Sequence, residues 1–298
     1  MEGPRIEIEG LSKSFGGVRA VDALSFYAEP GEVTGFLGPN GAGKTTTLRM
    51  LLGLVEPTGG RATIGGARYT DLERPADVVG AALEASSFHP GRSGRNHLRI
   101  YCAVNGYPDT RADEMLALVR LSEAARQPVR GYSLGMRQRL ALATALVDDP
   151  SVLVLDEPSN GLDPAGIAWL RVFLRRLAGE GRTMLVSSHA LTEVQQIADR
   201  VVIVDKGRLV REGRLEELTA SGRAVVTTPD TERFAGVLIS AGATVRRRSG
   251  DTLETEGLTV REVGRLAFEH RVELHCLEKR QDGLEQIFFS LTGVEDHR

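Results

Sequence analysis

The stretch Gly38-Pro39-Asn40-Gly41-Ala42-Gly43-Lys44-Thr45 constrains this chain more than any other. Three glycines in six residues, followed by a lysine and a threonine, are poor material for a packed element. The residues before it, Glu32 to Leu37, read as a short buried strand, and those after it, Thr46 to Leu52, as a helix. A glycine turn between strand and helix can wrap backbone N–H groups around an anion, because glycine tolerates the dihedrals and a helix N-terminus presents unpaired, partly positive donors. In this context the pattern predicts a phosphate cradle. Gly38, Pro39, Asn40, Gly41, Ala42, Gly43, Lys44, Thr45 and Thr46 form it, Lys44 reaches the β- and γ-phosphates, and the Thr45 hydroxyl helps hold Mg²⁺.

With 298 residues, 41% of them hydrophobic, the chain can bury a substantial core, and its length suggests one large domain plus a smaller one. A net charge of -3 gives no electrostatic reason to bind nucleic acid, and Arg246-Arg247-Arg248 is short enough to be a solvated face. The opening residues lack the basic and apolar regions of a signal peptide. Apolar runs such as Met50 to Val55 and Val152 to Leu155 are too short to span a bilayer, so a soluble chain is expected. Cys102 and Cys276 make neither a disulfide framework nor metal-type spacing, which suits a reducing cytoplasm. His270, His275 and Cys276 read as a chance cluster, without the further ligands a metal site would need.

Along the chain, residues 5 to 79 are strand-rich, with alternating apolar positions in Ile6 to Leu11 and Leu24 to Tyr27. From Leu83 to Asp149 the pattern turns helical, in Asn96 to Asn105, Arg111 to Leu121 and Leu134 to Val147, as a helical insertion would. Strands return at Ser151 to Leu155, Thr183 to Ser187 and Val201 to Val204, separated by helices at Ala165 to Ala178 and Leu191 to Ala198, the alternation of an α/β sheet. Ser221-Gly222, after an acidic helix at Leu215 to Ala220, suggests a boundary between domains at 1–220 and 221–298. Beyond it, strand 223–228, helix 231–241, strands 244–248 and 252–256, helix 259–270 and strand 272–277 give β-α-β-β-α-β, a small ferredoxin-like α+β domain. A last helix is expected from Leu284, Ile287, Phe288 and Leu291 at i, i+3, i+4 and i+7.

A phosphate loop needs a metal anchor and, for hydrolysis, a base. Val152-Leu153-Val154-Leu155-Asp156-Glu157 is an apolar strand ending in two carboxylates, placed where α/β sheets bind ligands. Asp156 would hold Mg²⁺ through water and Glu157 would polarise the attacking water. Ser133, opening a long helix with Gly135, fits an ordinary helix cap and also a second anion site.

The order of these motifs resembles the ATP-binding cassette (ABC) transporter ATPases over roughly residues 5 to 220: Gly38 to Thr45 is similar to the Walker A loop, Tyr132 to Met136 to the signature, and Leu153 to Glu157 to the Walker B strand. Ser159 to Pro164 resembles the D-loop region and Ser187-Ser188-His189 the switch histidine. The resemblance implies a P-loop ATPase core with an antiparallel β subdomain and a helical subdomain at about 85–149. Ser133 to Arg139, the Glu84 segment and the C-terminal domain look like the subgroup paired with ABC-2-type permeases, which includes drug, antibiotic-resistance and bacteriocin-immunity exporters.

What the resemblance implies for single residues follows from these matches. Phe15 would stack on adenine, Asp163 would contact the partner subunit's phosphate loop, and His189 would touch the γ-phosphate alongside catalytic Lys44 and Glu157. Glu84 stands where the family usually has glutamine and would help bind Mg²⁺; Leu134 stands where the signature usually has a second glycine. The implied protein binds ATP and Mg²⁺ and pairs head to tail with a second copy, so that Ser133 and Gly135 complete the partner's site. It powers export through a separate polytopic permease contacted near Glu84 to Leu98, and lies peripherally on the cytoplasmic face of the cell membrane. The competing expectation is a soluble ABC-type ATPase acting in translation or DNA maintenance, and related proteins of that kind commonly carry two cassettes or long coiled-coil insertions. A GTPase or kinase would need a guanine reader such as Asn-Lys-x-Asp, and Asp205-Lys206-Gly207 reads instead as a turn.

Overall fold

The computed structural model describes residues 2–83, 88–281, 283–284 and 287–288. Contacts divide the chain into two units, Met1–Leu215 and Glu216–Arg298.

The first unit is built around three strands buried along their whole length. β3 (Val33–Leu37), β6 (Val152–Asp156) and β7 (Thr183–Ser188) are buried at every residue. Strands buried on both faces read as unbroken apolar runs and belong in parallel sheets. Together with β5 (Val79–Ala82), β8 (Arg200–Asp205) and β9 (Arg208–Arg214) they form a six-stranded sheet in the order β5-β6-β7-β3-β8-β9. All neighbours are parallel except β8–β9. Alternation along β6 feeds two cores: Leu153 and Leu155 point to one face, Val152 and Val154 to the other.

On the Val152/Val154 face lie a second sheet and α1 (Lys44–Leu51). That sheet is antiparallel, ordered β2-β1-β4 from β1 (Ile6–Phe15), β2 (Val18–Ala28) and β4 (Gly59–Ile64). The Leu153/Leu155 face carries the helical residues. After α2 (Pro75–Val78) come α3 (Gly94–Val104), α4 (Asp109–Leu118) and α5 (Leu134–Ala145), and α6 (Pro164–Gly179) follows β6. Ser93 and Ser133 cap α3 and α5, each accepting a backbone N–H three residues on.

The helix at Leu191 and the strand β9 differ from expectation. The helix at Leu191 is only α7 (Leu191–Val194), because Asp199 must reach β3: its N–H donates to Val33 O (2.9 Å) and its carboxylate accepts from Val33 N (2.9 Å). β9 went unrecognised in the sequence; it pairs with β8 across a turn in which Lys206 and Gly207 both have positive φ, 47° and 79°.

The second unit runs β10 (Ala220–Thr227), α9 (Thr231–Ser240), β11 (Thr244–Arg247), β12 (Thr252–Glu256), α10 (Val260–Glu269) and β13 (Cys276–Gln281), after α8 (Leu215–Thr219) at the division. Its sheet is antiparallel throughout, ordered β11-β12-β10-β13, over a core that includes Val226, Phe234, Leu238, Leu253 and Val263. Ser221-Gly222 falls inside β10.

Val272 does not begin a strand. Arg271 turns with φ 51°, Val272 N donates to Ala267 O (2.8 Å), and Val272 is buried at the end of α10, whose N-terminus has a Thr259–Glu262 capping box. Arg247 and Arg248 are not merely solvated: Arg247 donates to Thr231 Oγ1 (2.5 Å), and Arg248 pairs with Glu254 (2.9 Å). Leu284 and Phe288 are buried and Ile287 N donates to Gly283 O (3.2 Å), as in a helical turn; Leu291 lies outside the described residues.

Candidate functional site

Strand order creates the site. β6, β7 and β3 lie side by side and run in parallel, so their C-terminal ends deliver Asp156-Glu157, Ser187-Ser188-His189 and the glycine loop to one edge. Asp156 is in register with Ser187, and Leu37 with Ser188. This is the edge at which α/β sheets bind ligands.

The loop after β3 exposes Pro39, Asn40 and Gly41 and buries Ala42 in the core, whose N–H donates to Pro39 O (3.1 Å). Gly43 has φ 95°, and a Cβ there would come within 2.4 Å of Ala20 O, so no other residue fits without moving the strand beneath. Gly43 is also the N-cap of α1, with no side chain to satisfy the first N–H groups of Lys44-Thr45-Thr46, a turn that holds no acidic residue. Uncapped donors and the positive end of the helix dipole suit phosphate oxygens. The Lys44 side chain is 6% exposed. Its Nζ donates to Gly38 O (2.7 Å) and Pro39 O (3.3 Å) and lies 3.5 Å from Glu157 Oε1.

Thr45 Oγ1 donates to Asp156 Oδ2 (2.7 Å), and Asp156 Oδ1 accepts from Ser187 Oγ. A hydroxyl and a carboxylate meeting at the mouth of a phosphate cradle are the hard oxygen donors that Mg²⁺ prefers, so these residues fit that ion. Glu84 lies outside the described residues. Glu157 sits next to this pair in a left-handed conformation, φ 49°. Its backbone is held from several sides: its N–H donates to Ser187 O (3.2 Å) and lies 3.1 Å from Ser187 Oγ, while its C=O accepts from Gln138 Nε2 (3.0 Å). An ionised carboxylate only accepts, so His189 Nδ1–H donates to Glu157 Oε2 (2.7 Å).

Among the remaining residues, Phe15 is 52% exposed at the end of β1, with Lys13 Nζ 5.0 Å from its ring centre, so it is not a core aromatic. Ser133 caps α5 with an exposed side chain, and Asp163 caps α6, accepting from Gly166 N (2.7 Å).

Three residues at this edge had no assigned role in the sequence. Ser187 and Gln138 fix Asp156 and Glu157, and no local pattern marks them because their partners lie far away in sequence. Gly161 is the third. With φ 72°, its missing Cβ leaves room for Leu134: a Cβ would lie 2.3 Å from Leu134 Cδ2 and 2.8 Å from Leu134 Cβ. In turn, a Cβ on Gly135 would lie 2.9 Å from Gly161 O. The pair explains how leucine stands at a signature position where a glycine is usual. Because even Leu134 Cβ is too close, a rotamer change cannot clear the clash. Gly161→Ala is therefore expected to cost roughly 1 to 3 kcal/mol in thermal unfolding, and adding Leu134→Gly should recover part of that loss; full stability of the single variant would contradict this contact.

A separate hollow of about 430 Å³ opens between the segment following α1, β5 and the helices α3 and α5, lined by Leu52, Leu54, Ala82, Leu83, Phe88 and Tyr101 among others.

Residues 21–160 match the family model described as ABC transporter, and residues 222–285 match a domain of unknown function, DUF8746. The chain is 39% identical to the bacitracin transport ATP-binding protein BcrA of Bacillus licheniformis, over 73% of this chain and 72% of that one. It is 35% identical to the daunorubicin resistance ATP-binding protein DrrA3 of Streptomyces coeruleorubidus, over 98% of this chain and 97% of that one. A solved structure described as the ATP binding subunit of an ABC transporter superposes with a TM-score of 0.64 at 26% identity, covering 72% of this chain and 91% of its own. With the glycine loop, the paired carboxylates and the histidine gathered on one sheet edge, and with relatives of this identity along nearly the whole length, the chain belongs to the ABC transporter family as an ATP-binding protein.

Proposed function

We propose that this chain is the ATP-hydrolysing subunit of an exporter, acting as a head-to-tail homodimer beneath a separate polytopic permease of the ABC-2 type, on the cytoplasmic face of the membrane. The observation that carries hydrolysis is Glu157, fixed at the strand end between Lys44 and His189 and beside the Thr45–Asp156 pair. Lys44 and the open N–H groups of α1 bind the phosphates, and the exposed Phe15 ring offers a stacking face for adenine. Thr45 and Asp156 hold Mg²⁺, with Glu84 as a further candidate oxygen ligand. When bound there, Mg²⁺ would supply positive charge that offsets the negative charge of the phosphates. Glu157 takes a proton from the attacking water, and His189 orients that carboxylate and lies within reach of the γ-phosphate.

Ser133, exposed at the N-terminus of α5 with Gly135 beneath it, supports a role completing the partner's site, which Asp163 would approach from the neighbouring loop. Closing two such sites is the power stroke. The ATPase core takes residues 1–220, with a helical subdomain at about 85–149, and 221–298 form an accessory domain. Its element order and its sheet order β11-β12-β10-β13 support a ferredoxin-like fold that serves dimerisation and packing. No helix among the described residues is long and apolar enough to cross a membrane, which supports a separate permease, and the hollow beside β5 is its docking place. The names of BcrA and DrrA3 support a drug, antibiotic, peptide or lipid-like cargo. Mild crosslinking of tagged Glu157→Gln protein in its native cell should recover a polytopic membrane protein in stoichiometric amount; recovery only in soluble complexes such as ribosomes would overturn export in favour of a translation or DNA-maintenance role.

A further inference from the structure

His97, on α3, is 6% exposed and lines the hollow beside β5, edge-on to Phe88 with ring centres 4.9 Å apart and next to Tyr101 at 5.0 Å. Its Nε2 lies 3.2 Å from Thr144 Oγ1, and Thr144 donates its one hydroxyl proton to Leu140 O (2.9 Å). Thr144 Oγ1 can then only accept, so the imidazole proton sits on Nε2. Burial, reinforced by the positive charge of Arg92, lowers the pKa of His97 to about 4 and keeps the ring neutral at physiological pH. Among the described residues Nδ1 has no hydrogen-bond partner, which leaves it as a buried lone-pair acceptor.

Buried acceptors are nearly always satisfied, and the surroundings specify what would satisfy this one. The lining is largely apolar, and Leu54 and Tyr101 within it stay 66% and 42% exposed. The positive charge of Arg92 near the ring opposes a lysine or arginine donor, and a carboxylate has no proton to give. We infer that the occupant of this hollow is an apolar permease segment carrying a neutral hydrogen-bond donor, a hydroxyl, indole or amide N–H, that seats on His97 Nδ1. This partner chemistry rests on the permease docking proposed above.

The test titrates full-length chain onto inverted membrane vesicles from the native cell, stripped of peripheral proteins. Wild type should bind saturably. His97→Phe keeps the aromatic packing but strands the partner's donor, and should bind about tenfold more weakly, with ATP affinity and permease-free turnover unchanged. His97→Asn, whose Oδ1 can stand near the Nδ1 position, should recover part of the loss. Nitrogen-15 NMR of the ring in the free chain should show Nε2 protonated and Nδ1 bare; the opposite tautomer overturns the inference. Equal vesicle binding by His97→Phe also overturns it while leaving docking intact, whereas absence of binding by wild type removes the docking itself. Should His97→Phe not fold, Thr144→Val, which removes the acceptor that holds the tautomer, must weaken vesicle binding for the inference to stand.

Discussion

Lys44→Ala is expected to abolish tight ATP binding. Its ammonium is buried and held at the mouth of the cradle by Gly38 O and Pro39 O, at 2.7 and 3.3 Å, so it is positioned for phosphate before any nucleotide arrives. Each charge-assisted hydrogen bond it makes to a phosphate oxygen is worth about 1.5 to 3 kcal/mol, or roughly 10- to 150-fold in affinity. Two or more such bonds take the variant out of the useful range. Fluorescence titration with a labelled ATP analogue measures this directly, and a thermal melt separates it from unfolding, since the two loop carbonyls also lose their donor. Unchanged nucleotide affinity would rule out the loop as the phosphate site.

Glu157→Gln is expected to lower ATP turnover by roughly 10² to 10⁴-fold, the usual contribution of a general base, while leaving ATP binding nearly intact. The substitution is isosteric. A glutamine Oε1 can still accept from His189 Nδ1–H, and the backbone bonds to Ser187 and Gln138 that hold the left-handed φ do not involve the side chain's charge. What disappears is the proton acceptor and the 3.5 Å ion pair with Lys44. Steady-state turnover and equilibrium binding on the same preparation distinguish the two effects. Near-normal turnover would point to another base.

Much of this edge was legible because its parts are local. The glycine loop, the apolar strand ending in Asp156-Glu157, and Ser133 at a helix start each carry their signal within a few residues. Periodicity also located α3, α4 and α5 to within a few residues at each end. Strand order is not local. Nothing near Ser187 shows that it pairs in register with Asp156, so its role in bracing the Asp156 carboxylate and the Glu157 backbone had to come from the sheet. Gly161 and Leu134 compensate each other across separate segments for the same reason.

β9 escaped notice because Arg208-Leu209-Val210-Arg211-Glu212-Gly213-Arg214 is an edge strand with polar groups on it, and it lacks the apolar run that marks β3, β6 and β7. The helix expected at Leu191 to Ala198 was overruled by Asp199, whose bonds to Val33 pull the chain out of helix early. The strand expected at Val272 gave way to the closing turn of α10. At Asp199 a tertiary contact beat a local preference, whereas at Val272 the closing turn of its own helix did.

Head-to-tail pairing would make two copies of this chain share their ATP sites. Sedimentation of the Glu157→Gln protein, with and without ATP and Mg²⁺, tests it most directly. A monomer is expected without nucleotide and a species of twice the mass, holding two ATP, when nucleotide is saturating, with Ser133→Arg returning it to monomer by blocking the exposed cap of α5. A Glu157→Gln protein that is fully loaded with ATP and still monomeric would contradict it.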